Sequence, residues 1–177
     1  MEVRPLDIRQ RAARIRLLVL DVDGVLTDGR LYFGNNGEEL KAFHIRDGHG
    51  IKMLQRHGVE VAVISGRHAP ATQRRMSDLG VGHILLGVDN KAAALQALLQ
   101  QLDLTPEEAA FVGDDLIDLP ALIRVGLAVA VADADAFVAL HAHWRTHSRG
   151  GHGAVREVCE LILEARGLLD QERTRYL

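Results

Sequence analysis

Asp21 and Asp23 stand two residues apart at the end of the apolar run Leu17-Leu18-Val19-Leu20, with Gly24 next and Val25-Leu26-Thr27-Asp28-Gly29 beyond. Carboxylates at the mouth of a buried strand are costly unless something positive meets them. A divalent cation and a phosphoryl group would meet that need. Ser65-Gly66-Arg67, Asn90-Lys91 and Gly113-Asp114-Asp115 add a hydroxyl, an ammonium and two more acids at the ends of other apolar segments. The Asp-x-Asp-Gly spacing also opens helix-loop-helix calcium loops, which want an oxygen ligand at the fifth position and Glu at the twelfth. Val25 and Tyr32 hold those positions and a strand precedes, so calcium is excluded. A plain Asp-rich turn is the alternative on this segment alone.

Hydrophobic patterning gives the elements that must position these groups. The apolar run 17–20 reads as a buried strand. An Asn/Gly turn at 34–37 predicts a β-hairpin, a flap over about residues 30–45. The glycines of 47–50 break the pattern, and a short helix is predicted over 51–57. Strands are expected at 59–64, 83–86, 109–112 and 127–131, and helices at 70–79, 91–102, 134–141 and 154–166. Pro120 fits poorly deep inside a helix, so one is expected to start with Asp118 as its N-cap. A tail follows from about residue 167 to 177. This alternation predicts an α/β fold, a three-layer α/β/α Rossmann-like parallel sheet, in one domain over residues 1–177 with a hairpin insertion. The ligand site of such a sheet lies beyond the carboxyl ends of its strands. Asp21, Asp23, Ser65, Asp114 and Asp115 all fall there.

Charge counting then defines what the site needs. Asp21, Asp23, Asp114 and Asp115 bring four negative charges, and two like charges in contact repel by about 4 kcal/mol at an effective dielectric near 20. Lys91, just after a plausible N-cap at Asn90, sits where a helix dipole disfavours a cation, and a nearby anion would offset that. Oxygen-only ligands beside a phosphate favour Mg²⁺ over zinc. A phosphate dianion calls for further cations, for which Arg67, Arg46, Lys52 and Arg75 are candidates.

Composition excludes several classes. The chain has 177 residues, 47% of them hydrophobic and 25% charged, with a net charge of −3, which does not favour a nucleic-acid or anionic-membrane partner. Arg9, Arg11, Arg14 and Arg16 read as the solvated face of a leading helix. Cys159 is the single cysteine, so no internal disulfide forms and a reducing cytoplasm fits. The N-terminus lacks the apolar run of a signal peptide, and no segment is long enough to span a bilayer. His141, His143 and His147 mix spacings that no single face presents, which argues against a metal site. Gly150 to Gly153 lacks the strand and Lys-Ser/Thr ending of a P-loop and reads as a hinge for a mobile tail.

Asp-Val-Asp-Gly-Val-Leu-Thr-Asp, Ile-Ser-Gly-Arg, Asn-Lys and Gly-Asp-Asp-Leu-Ile-Asp-Leu-Pro resemble the four motifs of the haloacid dehalogenase superfamily of phosphatases, over nearly all of the chain. The resemblance implies that Asp21 is the nucleophile, forming an aspartyl-phosphate, and that Asp23 is the acid/base. It implies that Ser65 binds the phosphoryl group and that Lys91 neutralises nucleophile and phosphate. Asp114 would bind Mg²⁺ with the Asp21 carboxylate and the Asp23 backbone carbonyl. Asp115 would support the metal, leaving Asp118 mainly structural. About forty residues separate the first two motifs, too few for a cap domain once the hairpin is counted. The finer pattern, Gly34 to Phe43, Arg46-Asp47-Gly48 and Gly150 to Glu157, is similar to the branch that hydrolyses 3-deoxy-D-manno-octulosonate 8-phosphate in lipopolysaccharide synthesis. That likeness implies a homotetramer in which a neighbouring subunit closes each site. It implies contacts to a sugar acid phosphate from Asp23, His44, Ile45, Arg46, Asp47, Gly48, Lys52, Gly66, Arg67, Arg75 and Lys91. His44 and His49 depart from that branch, which carries Asn and an aromatic residue there. A nine-carbon 2-keto-3-deoxy sugar acid 9-phosphate is the competing substrate, although an acidic residue tends to replace Arg67 in enzymes for it. A phospho-accepting receiver and an inactive oligomeric binding protein are the alternatives from other classes.

Overall fold

The structure is a computed structural model that describes residues 5–177; the reading of a leaderless N-terminus and of one domain from residue 1 rests partly on residues 1–4, which lie outside them. In chain order the elements are α1 (Pro5–Ala13), β1 (Leu17–Leu20), β2 (Tyr32–Phe33), β3 (Glu39–Leu40), α2 (Ile45–Arg56), β4 (Glu60–Ser65), α3 (Pro70–Asp78), β5 (His83–Leu86) and α4 (Lys91–Leu102). They continue with β6 (Ala109–Gly113), α5 (Leu119–Leu122), β7 (Leu127–Ala130), α6 (Ala136–His141), β8 (Trp144–Arg145), α7 (Ala154–Ala165) and α8 (Leu169–Thr174). Among the described residues, one six-stranded sheet runs in the order β5-β4-β1-β6-β7-β8 with every pairing parallel, and β2 and β3 form a separate antiparallel hairpin.

The period of two along each strand divides the core into two layers. Leu18 and Leu20 of β1 join a cluster with Leu54 of α2, Met76 of α3 and Val158 of α7, while Leu17 and Val19 join Leu95 of α4 and Val138 of α6 on the other face. Both faces are covered, which is why β1 is apolar throughout. Register then sets the site. Leu20 pairs with Val63 of β4 and Val112 of β6, so Asp21, Ser65 and Asp114 all emerge at one edge of the sheet.

Four expectations are corrected. Helix α2 begins at Ile45, so the segment 47–50 lies inside it and does not interrupt it. The glycines there serve close packing: a side chain at Gly48 would strike Arg75, and a Cβ at Gly50 would lie 3.1 Å from the Arg156 Cα. The hairpin ladder is correspondingly short, Tyr32–Phe33 against Glu39–Leu40. The tail contains helix α8, fastened by Glu172, which is fully buried and bonded to Arg56 and His57. Gly150 to Gly153 is packed against the loop after β1, where a Cβ on Gly150 would overlap the Gly24 carbonyl; it is not a free hinge. β8, two residues long, carries too little pattern to have been foreseen.

Candidate active site

The chain leaves β1 in a tight turn. Asp21 N–H donates to Val112 O at 3.1 Å, and Leu26 and Thr27 N–H both return to Val22 O, at 2.9 and 3.1 Å. Gly24 takes φ +91°, and a side chain there would overlap the Asp114 carboxylate. Glycine is therefore required twice over, for backbone conformation and for the approach of β6. Asp21 is 3% exposed.

Asn90 caps α4 by accepting from Ala93 N–H at 3.0 Å, which places Lys91 at the first turn, pointing under the edge of the sheet. Its ammonium lies 2.8 Å from Asp21 Oδ1 and 2.6 Å from Asp118 Oδ1. Burial alone would lower its proton affinity, but the two carboxylates hold it above the ordinary lysine value. Asp118 Oδ2 accepts from the N–H groups of Asp114 at 3.0 Å and Asp115 at 3.3 Å. Asp118 thus joins Lys91 to the loop after β6. Asp115 instead accepts from Leu116 N–H at 2.7 Å, capping a single 3₁₀ turn. Asp118 stands with the central carboxylates, because the 3₁₀ turn brings it back beneath the sheet edge, while Asp115 lines the cleft above them.

Oxygens of Asp21, Asp114 and Asp118 all lie within 4.8 Å of one another. Asp114 Oδ1 is buried and has no hydrogen-bond partner. Burial, then the charges of Asp21, Asp118 and Asp115, push the Asp114 carboxyl up to about 8. Burial and Asp118 likewise raise Asp21, against the pull of Lys91. With both Asp118 oxygens engaged, a cation would take oxygens from Asp21 and Asp114. Hard, oxygen-only and partly unsatisfied, this donor set fits Mg²⁺.

That arrangement has a measurable consequence. Carboxyls raised in the folded state bind more protons than in the unfolded chain, so metal-free stability falls as pH rises from the unfolded carboxylate range near 4 toward the Asp114 value of about 8. Mg²⁺ at a hundred times its Kd should add about 2.7 kcal/mol at pH 8, or roughly 5–10 °C in Tm. Proton competition should shrink the gain at pH 5. Thermal melts at both pH values check this; equal shifts would contradict it.

Above the carboxylates lies an open cleft of about 220 Å³, lined by Asp21, Asp23, Gly29, Ser65, Gly66, Arg67, Asp114, Asp115 and Ile117. Ser65 Oγ accepts from Arg67 N–H at 3.3 Å. The other residues expected to contact substrate lie elsewhere on the chain. His44 and Arg46 line a second cavity with His152 and Arg156. Asp47 is buried and accepts from Arg156 N–H at 2.8 Å, at the start of α7. Ile45 is exposed. Arg75 packs beside Gly48, and Lys52 Nζ lies next to Gly80. Two further residues reach the cleft's rim, Glu39 in β3 and Lys41 just beyond it, and no motif in the sequence marks either. Lys41 contacts Asp23, and Glu39 contacts Arg67.

A parallel α/β sheet with a strand-end Asp, a buried lysine against it and a second acid from the neighbouring strand defines a class. The family model for haloacid dehalogenase-like hydrolases matches residues 38–126, and the chain belongs to that family. Across 94% of its length it is 52% identical to the 3-deoxy-D-manno-octulosonate 8-phosphate phosphatase KdsC of Salmonella typhi, covering 88% of that protein. The crystal structure of the Yersinia pestis 3-deoxy-D-manno-octulosonate 8-phosphate phosphatase is similar with TM-score 0.91 and 51% identity, over 93% of this chain and 89% of that one. That of the Moraxella catarrhalis phosphatase in complex with magnesium, phosphate and KDO is similar with TM-score 0.96 and 37% identity, over 98% and 100%. Among the described residues no helix is long and apolar enough to cross a membrane.

Proposed function

We propose that this chain is a Mg²⁺-dependent phosphomonoesterase that releases phosphate from 3-deoxy-D-manno-octulosonate 8-phosphate. The observation that carries the chemistry is the buried Lys91 clamped between Asp21 and Asp118 beside the unsatisfied Asp114. The substrate comes from the relatives at 51–52% identity over nearly the whole chain.

Asp21 attacks phosphorus while Asp23 gives a proton to the leaving sugar oxygen. Asp23 then takes a proton from water as that water displaces Asp21 from phosphorus. Ser65 binds a phosphoryl oxygen, and Lys91 holds the Asp21 carboxylate in place and offsets its charge. Bound Mg²⁺, held by Asp21, Asp114 and the Asp23 carbonyl, supplies electrostatic stabilisation of the transferring group. Arg67, its side chain 46% exposed at the cleft wall, would meet the carboxylate of an eight-carbon sugar acid.

The cleft, about 220 Å³, is below the roughly 300–1,000 Å³ of ordinary small-molecule pockets. A homotetramer, in which a second copy closes the cleft, is part of this proposal. Its support is the exposed apolar set Leu31, Phe33, Leu40 and Ile45 on and beside the hairpin. In that assembly the start of α2, with His44 and Arg46, contributes to the closed site. The chain acts as one domain with the hairpin as its flap, in the cytoplasm, where the free and buried Cys159 stays reduced.

Phosphate release from the octulosonate 8-phosphate, from a nine-carbon 2-keto-3-deoxy sugar acid 9-phosphate and from 4-nitrophenyl phosphate tests the reading. The first should exceed the second in kcat/KM by roughly 10- to 100-fold, and chelation should stop all three. Equal rates for the two sugar acids would remove the substrate assignment; metal-independent release would remove the mechanism.

A further inference from the structure

Four side chains close a ring of charge at the rim of the cleft. Lys41 Nζ contacts Asp23 Oδ1 and lies 3.0 Å from Glu39 Oε1. Arg67 Nη2 lies 2.7 Å from Glu39 Oε2, and its Nε lies 3.8 Å from Asp23 Oδ2. The Lys41 side chain is 1% exposed, against 20% for Asp23 and for Glu39. Burying a lysine ammonium is costly, and tethering the hairpin would need only one carboxylate at its base. This ammonium instead takes one oxygen of Asp23 and leaves the other facing Arg67 and the cleft. Glu39 meanwhile ties Lys41 to Arg67.

We propose that Lys41 is a positioning residue for Asp23, and that through Glu39 the hairpin aligns the acid/base carboxylate and the Arg67 guanidinium as one unit. The proposal rests on the phosphatase reading above and extends it to a residue outside the four motifs. With Oδ1 held by Lys41, Oδ2 is the oxygen that delivers the proton to the leaving alkoxide as the phosphorus–oxygen bond breaks and Asp21 bonds to phosphorus. The same oxygen then receives the proton of the water that bonds to phosphorus as the Asp21 bond breaks. A hairpin displaced from the cleft would take the acid/base out of alignment with the substrate.

Leaving-group dependence separates positioning from mere structural support. The value of kcat/KM reports steps up to transfer of phosphorus to Asp21, and a 4-nitrophenolate needs no proton to depart, whereas a sugar alkoxide does. In the Mg²⁺-loaded enzyme, Lys41→Met should lower kcat/KM for the octulosonate 8-phosphate by roughly 10- to 100-fold and for 4-nitrophenyl phosphate by less than about threefold. Added to Asp23→Asn, it should cost little more, since both act through one group. Equal losses on both substrates, no loss on either, or full additivity with Asp23→Asn would overturn the proposal. If Lys41→Met does not fold, Lys41→Gln, which keeps a donor in the same space, carries the same comparison. A wild-type enzyme inactive on both esters would instead overturn the phosphatase reading, a separate result.

Discussion

Asp21→Asn is expected to lower kcat by at least about four orders of magnitude, on the scale seen when a nucleophile is removed. The amide has the shape of the carboxylate and almost none of its nucleophilicity. Buried at the end of β1, it should leave the fold intact, because Lys91 keeps Asp118 as a partner at 2.6 Å. Electrostatics sharpen the expectation. Asp21 is one of the charges that raise Asp114, so its neutralisation should ease metal-free repulsion while weakening the response to Mg²⁺. Steady-state assay and thermal melts with and without Mg²⁺, on protein checked by mass for deamidation back to Asp, measure all three. Retained hydrolysis above about 1% of wild type would remove Asp21 from its assigned role.

Lys91→Met should have the next largest effect, and on stability as well as rate. The ammonium is the shared partner of two carboxylates, Asp21 and Asp118, each at most 4% exposed on its side chain. Removing one member of a buried ionic group costs about 3–5 kcal/mol, or roughly 6–20 °C in a chain of this size. The loss should be larger at pH 8 than at pH 5. With the ammonium gone, nothing offsets the burial and the Asp118 charge that raise Asp21, so Asp21 accepts a proton at low pH and is repelled once that proton is gone. Lys91→Arg should not restore function, since a planar fork cannot occupy the place of a point charge between two oxygens. Unchanged melting at pH 8 together with normal turnover would contradict the site's electrostatic account.

What the sequence discloses and what it conceals divides on physical lines. β1, β4 and β6 are legible because both faces of the sheet are buried, so Leu17 to Leu20, Val61 to Ile64 and Ala109 to Val112 carry unbroken apolar runs. Their endings in acids and a hydroxyl place the cleft at one edge before any coordinate is known, since parallel register does the rest. Gly48 and Gly50 mislead because local propensity reads them as a break, whereas helix packing against Arg75 and Arg156 requires the absence of side chains there. Asp118 is hidden by its turn: a 3₁₀ segment brings it under the sheet edge to meet Lys91, 27 positions away. Helix α8 escapes notice because its anchor is a buried Glu172 whose partners, Arg56 and His57, lie more than a hundred residues earlier. Lys41 is concealed for the same reason, being an ordinary charged residue just past β3 until Asp23 is seen opposite it. Period and register are local or nearly so; ion pairs between distant segments are not.

The most direct test is to find where the phosphoryl group rests. Rapid acid quenching of the Mg²⁺-loaded enzyme during turnover, followed by borohydride reduction and peptide mass analysis, converts an acyl phosphate on aspartate to homoserine. Homoserine at position 21, absent from Asp21→Asn and from enzyme given no substrate, is the predicted result. Homoserine at Asp114 or Asp118, or none at any aspartate while phosphate is being released, would contradict the account.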